Sequence, residues 1–171
     1  GLLTGNGIAT TVMSNLGLER FLNQRGISME RTQVGDRYVV ERMRKSGFNL
    51  GGEQSGHIIL SDFSTTGDGL IAGLQFLAEI IRSERSSKEL AQVFEPVPQL
   101  LKNASYQAGS DPLAKPNVIK AIEAAESKLK NNGRLLIRKS GTEPLIRVMA
   151  ESQDEEKMTR AVDSVVAAIT A

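Results

Sequence analysis

Positions 138 to 147 read Arg138-Lys139-Ser140-Gly141-Thr142-Glu143-Pro144-Leu145-Ile146-Arg147, placing three cations, two hydroxyls and a glycine within ten residues. A doubly charged phosphate is bound by this mixture of forked donors, hydroxyls and closely approaching backbone N–H groups. Arg138, Ser140, Gly141, Thr142 and Arg147 are therefore candidate oxyanion ligands. The same residue types also suit a hairpin tip whose charges are solvated, with Glu143 neutralising an arginine, and the two readings carry similar weight. The Gly-Lys-Ser/Thr ending of a nucleotide P-loop is missing.

A second constellation is Gly51-Gly52-Glu53-Gln54-Ser55-Gly56-His57. Its glycines allow a tight turn that presents a carboxylate, an amide and a hydroxyl, the groups that hold vicinal sugar hydroxyls. An ordinary β-turn with polar residues is the simpler account of those residues alone. His57 is the only imidazole, so acid/base work near neutral pH falls on it by default, although a histidine opening the apolar run Ile58-Ile59-Leu60 is more often a packed structural residue. Ser64 to Gly69 precedes a helical pattern, where Asp68 is better suited to capping than to an anion site. The six aspartates are never closer than six positions apart, which excludes an Asp-rich Mg²⁺ loop, and no serine has an obvious neighbouring base. Binding groups are present without a nucleophile.

These loops need a scaffold, and the apolar periodicity supplies one. Ile8 to Val12 alternate as a strand, and Ser14 or Asn15 caps a helix that stops at Gly26. A second strand runs from Ile27 to Val34, followed by a turn or cap at Gly35-Asp36 and a helix ending at Gly47. Short strands flank the glycine-rich loop, and Leu70, Leu74, Leu77 and Ile81 recur at helical spacing. Such alternation predicts a layered α/β domain over 1–88. Ser86 and Ser87 open a short helix carrying Leu90, Val93 and Phe94, and Pro96 and Pro98 break the pattern, so 89–97 is expected as a linker. Over 98–171 the predicted order is a strand, a helix begun at Pro116 and closed by Gly133, two strands around the 138–147 loop, and a helix capped by Asp154, which is a small α+β domain.

Composition narrows the function classes. The 171 residues carry 21 Lys+Arg against 20 Asp+Glu, and aromatics are 4% with no Trp, which disfavours a nucleic-acid partner. The absence of cysteine excludes a disulfide framework and thiol chemistry, and a single histidine excludes a multi-histidine metal site. No apolar run approaches the ~20 residues of a membrane span and no secretory signal is seen, so a cytoplasmic protein without a membrane partner is expected. The first residue is Gly1 and strand-like sequence follows almost at once, as in a piece of a longer chain.

Five segments together carry a resemblance: Val12-Met13-Ser14-Asn15-Leu16-Gly17-Leu18-Glu19, Val34-Gly35-Asp36-Arg37-Tyr38, Gly52-Glu53-Gln54-Ser55-Gly56-His57, Thr65-Thr66-Gly67-Asp68-Gly69, and Arg138-Lys139-Ser140-Gly141-Thr142-Glu143-Pro144-Leu145-Ile146-Arg147-Val148. With them the sequence resembles the α-D-phosphohexomutase family, closely its phosphoglucosamine mutase branch, over nearly its whole length. That family has four domains: the first carries a phosphoserine in a Ser-His-Asn-Pro segment and the second an Asp-Gly-Asp-Xaa-Asp-Arg loop for Mg²⁺. The third recognises the sugar and the fourth the non-reacting phosphate. Neither of the first two signatures occurs here, so the chain resembles most of the third domain plus the fourth.

The resemblance implies that Glu53 and Ser55 hold sugar hydroxyls, that Gln54 marks the amino-sugar branch, and that Arg138, Ser140, Gly141, Thr142 and Arg147 hold phosphate. His57 matches a position proposed for proton transfer in relatives. Related mannose/glucose enzymes have a lysine near position 33, where this chain has Gln33. The implied activity is interconversion of glucosamine 6-phosphate and glucosamine 1-phosphate, a precursor step for peptidoglycan, by a phosphoserine outside this chain. Mg²⁺ and a bisphosphorylated sugar would serve the whole enzyme, and the partners would be the phosphosugar and the N-terminal domains of the same polypeptide. The fragment alone is expected to be inactive. The alternative is a non-catalytic phosphosugar- or anion-binding module.

Overall fold

Thr10, Thr11 and Ile8 are β-branched and favour extended backbone. They lie in β1 (Gly7–Thr11), an interior strand of a four-stranded sheet of order β2-β1-β3-β4. Strands β2 (Ser28–Thr32) and β3 (Leu50–Gly52) pair parallel to β1, and β4 (Ile58–Leu60) pairs antiparallel to β3. The parallel pairs require crossovers, which helices α1 (Leu16–Asn23) and α2 (Asp36–Ser46) provide. Asn15 caps α1 by accepting from the Gly17 amide, and Gly47 ends α2 in the left-handed conformation. The computed structural model describes residues 2–130 and 132–171, and the chain divides into two units, Gly1–Pro96 and Val97–Ala171.

The first unit has a small core of Ala9, Val39, Met43, Phe48 and Ile59. Helix α2 lies so close to β3 that a Cβ at Gly51 would meet Met43 Sδ at 2.5 Å and Val39 Cγ1 at 2.7 Å. Asp68 accepts from the Leu70 and Ile71 amides and starts α3 (Gly69–Ser83), in line with the capping expectation. The stripe on that helix does not enter the core: Leu70 is 74% and Ile81 79% exposed, and no α3 residue is buried. A capping box between Ser86 and Glu89 opens α4 (Ser87–Ala91), which ends before Val93 and Phe94. Residues expected as a linker lie with the first unit up to Pro96, where the Phe94 ring sits 6.3 Å from that of Phe21.

The second unit is an antiparallel sheet of order β5-β7-β6, formed by β5 (Gln99–Ser105), β6 (Gly133–Lys139) and β7 (Leu145–Ser152). Helices α5 (Pro116–Leu129) and α6 (Glu155–Thr170) cover one face. On β7 the residues Ile146, Val148 and Ala150 alternate into a core with Val118, Ala125, Leu129, Met158, Ala161, Val162, Val165 and Ile169, as a one-sided sheet requires. Asp154 caps α6 by accepting from the Lys157 amide. Gly133 departs from expectation: the helix ends at Leu129, and Gly133 instead begins β6, where a Cβ would collide with the Glu151 carbonyl of β7. The observed order of layered α/β unit and small α+β unit is the one the periodicity predicts. Among the described residues no helix is long and apolar enough to cross a membrane.

Candidate functional site

In the first unit, the C-terminal ends of the parallel strands gather the polar loops, as ligand crevices do in open α/β sheets. Thr11, Met13, Val34, Glu53, Gln54 and Ser55 line a recess of about 260 Å³ there. The hairpin from β3 to β4 closes on itself, the Glu53 amide donating to the His57 carbonyl at 2.8 Å and the Gly56 amide to the Glu53 carbonyl at 3.0 Å. Gly56 has φ +99°, a conformation that favours glycine. Gln54 and Ser55 stand exposed at the tip.

Glu53 is held more tightly than its neighbours. Its side chain is only 8% exposed, and Oε1 accepts from the Gly35 amide at 3.0 Å. Gly35 is the N-cap of α2 with φ +132°, so the carboxylate meets the positive end of that helix. Oε2 lies 3.5 Å from His57 Nδ1, which is also 3.0 Å from Ser55 Oγ. The structure thus brings Glu53, Ser55 and His57 together, with Gln54 beside them. Residue type does not single out the Gly35 amide, Thr11 or Met13; the signal that locates them is their position at the C-terminal ends of parallel strands, Thr11 as the last residue of β1, Met13 just after it and Gly35 just after β2.

The second constellation is the hairpin between β6 and β7. Arg138 and Arg147 occupy directly opposed positions of the antiparallel ladder, so both side chains stand on one face, away from the helices. Like charges in that placement repel, yet neither forms an ion pair among the described residues. Arg138 Nε is buried and meets no acceptor among them. Burial, and then the neighbouring Arg147, lower the Arg138 pKa from its ordinary value. Glu143 does not neutralise either arginine; its carbonyl instead accepts from the Leu145 amide at 2.7 Å. The tip neutralised by Glu143, one of the two accounts left open by residue type, is therefore not what the described residues form.

Around the pair, Ser140 is half-buried with its amide donating to the Leu145 carbonyl at 2.7 Å, while Gly141 and Thr142 are exposed. A Cβ at Gly141 would meet nothing within 4 Å, which leaves space beside its amide. Lys139 is not part of the pair. It alternates to the other face and bonds Asp111 at 2.9 Å, which raises its pKa above the ordinary lysine value. Asn103 of β5 lies opposite Arg147 on the side away from Arg138, extending the polar row across three strands.

The Phosphoglucomutase/phosphomannomutase, alpha/beta/alpha domain III family matches residues 1–97, and the Phosphoglucomutase/phosphomannomutase, C-terminal domain family matches residues 82–168. The chain belongs to the phosphoglucomutase/phosphomannomutase family. Within that family it is similar to the phosphoglucosamine mutase of Ruegeria sp. (strain TM1040), 67% identical over 171 residues, all of this chain and 38% of the relative. It is also similar to that of Paracoccus denitrificans (strain Pd 1222), 62% identical over 169 residues, 99% of this chain and 38% of the relative. The chain therefore spans about two-fifths of the length of these curated relatives. Among solved structures it is similar in fold to Aspergillus fumigatus N-acetylphosphoglucosamine mutase, with TM-score 0.77, 19% identity, and coverage of 96% of this chain and 38% of that one. A second structure of that enzyme, in complex with GlcNAc-6P and magnesium, matches with TM-score 0.72 at 18% identity, covering 96% of this chain and 41% of that one. In the phosphoglucomutase/phosphomannomutase chain described here, no group of three or more His, Asp or Glu side chains gathers among the described residues, so these residues do not fit a magnesium site.

Proposed function

We propose that this chain is the substrate-recognition part of a phosphoglucosamine mutase, which interconverts glucosamine 6-phosphate and glucosamine 1-phosphate. The observation that carries the reading is the opposed Arg138–Arg147 pair, one guanidinium partly desolvated and neither matched by a carboxylate. A phosphate dianion with forked acceptor oxygens removes both the repulsion and the missing partner. Ser140, the Gly141 amide and Thr142 add donors at the same hairpin, while in the first unit Glu53 and Ser55 take sugar hydroxyls and Gln54 marks the amino-sugar branch. The identity to proteins named phosphoglucosamine mutase supports the choice of sugar.

The transfer itself belongs to residues elsewhere in the longer polypeptide. A phosphoserine gives its phosphoryl group to the free sugar hydroxyl: the serine O–P bond breaks, a sugar O–P bond forms, and the proton lost by the sugar hydroxyl is balanced by one gained at the serine oxygen. The bisphosphate turns over and returns its other phosphoryl group to the serine, so no net phosphate is consumed. Holding the non-reacting phosphate away from the bonds that change is how binding energy positions the transfer. A cytoplasmic enzyme whose partners are the remaining domains of the same polypeptide completes the reading.

The test titrates the 171-residue chain with glucosamine 6-phosphate and with inorganic phosphate, then assays glucosamine 1-phosphate formation with and without the separately expressed N-terminal portion of a relative. Tighter binding of the sugar phosphate, no turnover by the chain alone and turnover on adding the other portion are expected. Equal binding of the two ligands overturns the sugar assignment in favour of a plain anion-binding module, and turnover by the chain alone overturns the division of labour.

A further inference from the structure

The hairpin bonds between Glu53 and His57 set these two side chains next to each other, and the contacts at the imidazole are unequal in kind. His57 Nδ1 is 3.0 Å from Ser55 Oγ, a hydroxyl able to donate or accept. It is 3.5 Å from Glu53 Oε2, and a carboxylate accepts only. We propose that Glu53 sets the tautomer of His57, keeping the ring proton on Nδ1 and leaving Nε2 as the unprotonated nitrogen.

The argument is electrostatic. An Nδ1 lone pair aimed toward Oε2 would bring two negative ends together, whereas Nδ1–H turns the contact into an attraction to a charged acceptor. Glu53 can impose this because it is itself fixed: 8% exposed, with Oε1 accepting from the Gly35 amide at the N-terminus of α2. The imidazole, 58% exposed, is the looser partner. With Nδ1 donating, Ser55 Oγ acts as acceptor and its own proton is free for another ligand. Glu53 is then a positioning residue in addition to any sugar contact through its remaining lone pairs.

The tautomer itself is tested without substrate. His57 is the only histidine, so a long-range ¹⁵N–¹H correlation on uniformly ¹⁵N-labelled chain reports one imidazole. The spectrum is taken at about pH 8.5, some two units above the ordinary histidine pKa of ~6.5. A severalfold excess of the Nδ1–H form is expected in the folded chain and in Ser55→Ala. The Nε2–H form, common for imidazole free in water, is expected to dominate in Glu53→Gln and in the urea-unfolded chain. Amide dispersion verifies that each variant is folded; if Glu53→Gln is not, the wild-type and Ser55→Ala spectra decide. A folded wild type in the Nε2–H form, a Glu53→Gln chain that keeps Nδ1–H, or a switch caused by Ser55→Ala each overturns the proposal. None of these spectra depends on turnover or sugar affinity, so failure of the mutase reading would be seen separately.

Discussion

Replacing Arg147 with alanine is expected to weaken binding while leaving the stability of the second unit unchanged or raised. Arg138 and Arg147 face each other across β6 and β7, a placement in which Cβ atoms lie about 4.5–5.5 Å apart, with no ion-pair partner for either among the described residues. At a charge separation of about 5–8 Å, repulsion is about 0.5–0.8 kcal/mol at the dielectric of water and about 2–3 kcal/mol at an effective value near 20. The hairpin is half-exposed, so solvent screening favours the lower figures. Part of that gain is offset by losing the arginine's apolar stem. The net result is a second unit unchanged or stabilised by up to about 1 kcal/mol. Ligand binding instead loses a charge-assisted contact of about 1.5–3 kcal/mol, a dissociation constant some 10- to 150-fold weaker. Calorimetric titration with glucosamine 6-phosphate and with inorganic phosphate measures the first quantity, and urea unfolding the second. Added salt should narrow the stability difference between wild type and variant, because it screens the repulsion. An unchanged affinity together with a stability loss above about 1 kcal/mol would refute the reasoning, since it would make the arginines part of the packing.

Gly51→Ala should destabilise the first unit by about 1–3 kcal/mol in urea unfolding, because its Cβ would press on Met43 and Val39 where α2 rests on β3. Leu74→Lys and Ile81→Lys should each change stability by less than about 0.5 kcal/mol, because both side chains are exposed on α3; a core-sized loss would mean that the stripe is packed. Asp154 titrates below its ordinary value of 3.8, chiefly because its carboxylate accepts from the Lys157 amide at the start of α6. A lowered folded-state pKa contributes stability that is present above the unfolded value and lost as pH falls through the folded one. Asp154→Asn should therefore flatten the fall in unfolding midpoint between about pH 5 and 3, and a variant that tracks wild type over that window would discount the cap.

What the sequence made legible is what short-range physics decides. Asn15, Asp68 and Asp154 cap helices from within a few residues, and Gly47 ends one, so their roles can be read in place. Gly133 was misread because its role is long-range. Near a helix end a glycine has a ready local meaning, but here it makes room for the carbonyl of Glu151, eighteen positions on, in the neighbouring strand. The candidate site divides in the same way. That arginines, hydroxyls and a glycine share a loop is visible in the letters; that Arg138 and Arg147 face each other while Lys139 turns to Asp111 follows from strand register. A shift of one residue would have exchanged Arg138 and Lys139 between the faces.

Glu53 makes the point at greater distance. Its partner amide, Gly35, follows β2, and β1 lies between β2 and β3, the strand that Glu53 follows, so only the sheet order brings them together. No spacing rule links positions 35 and 53, whereas the rule that parallel strands present their C-terminal ends to one crevice does. Helix α3 shows the limit from the other side. The repeat of Leu70, Leu74, Leu77 and Ile81 fixes which residues share a face, since that follows from 3.6 residues per turn. Whether the face is buried depends on what lies over it, and here the residues packed around the first unit's core come from β1, α2, β4 and the α2–β3 turn, with none from α3. Periodicity therefore predicts the helix and its sidedness, while the exposure of that side is a property of the assembled layers.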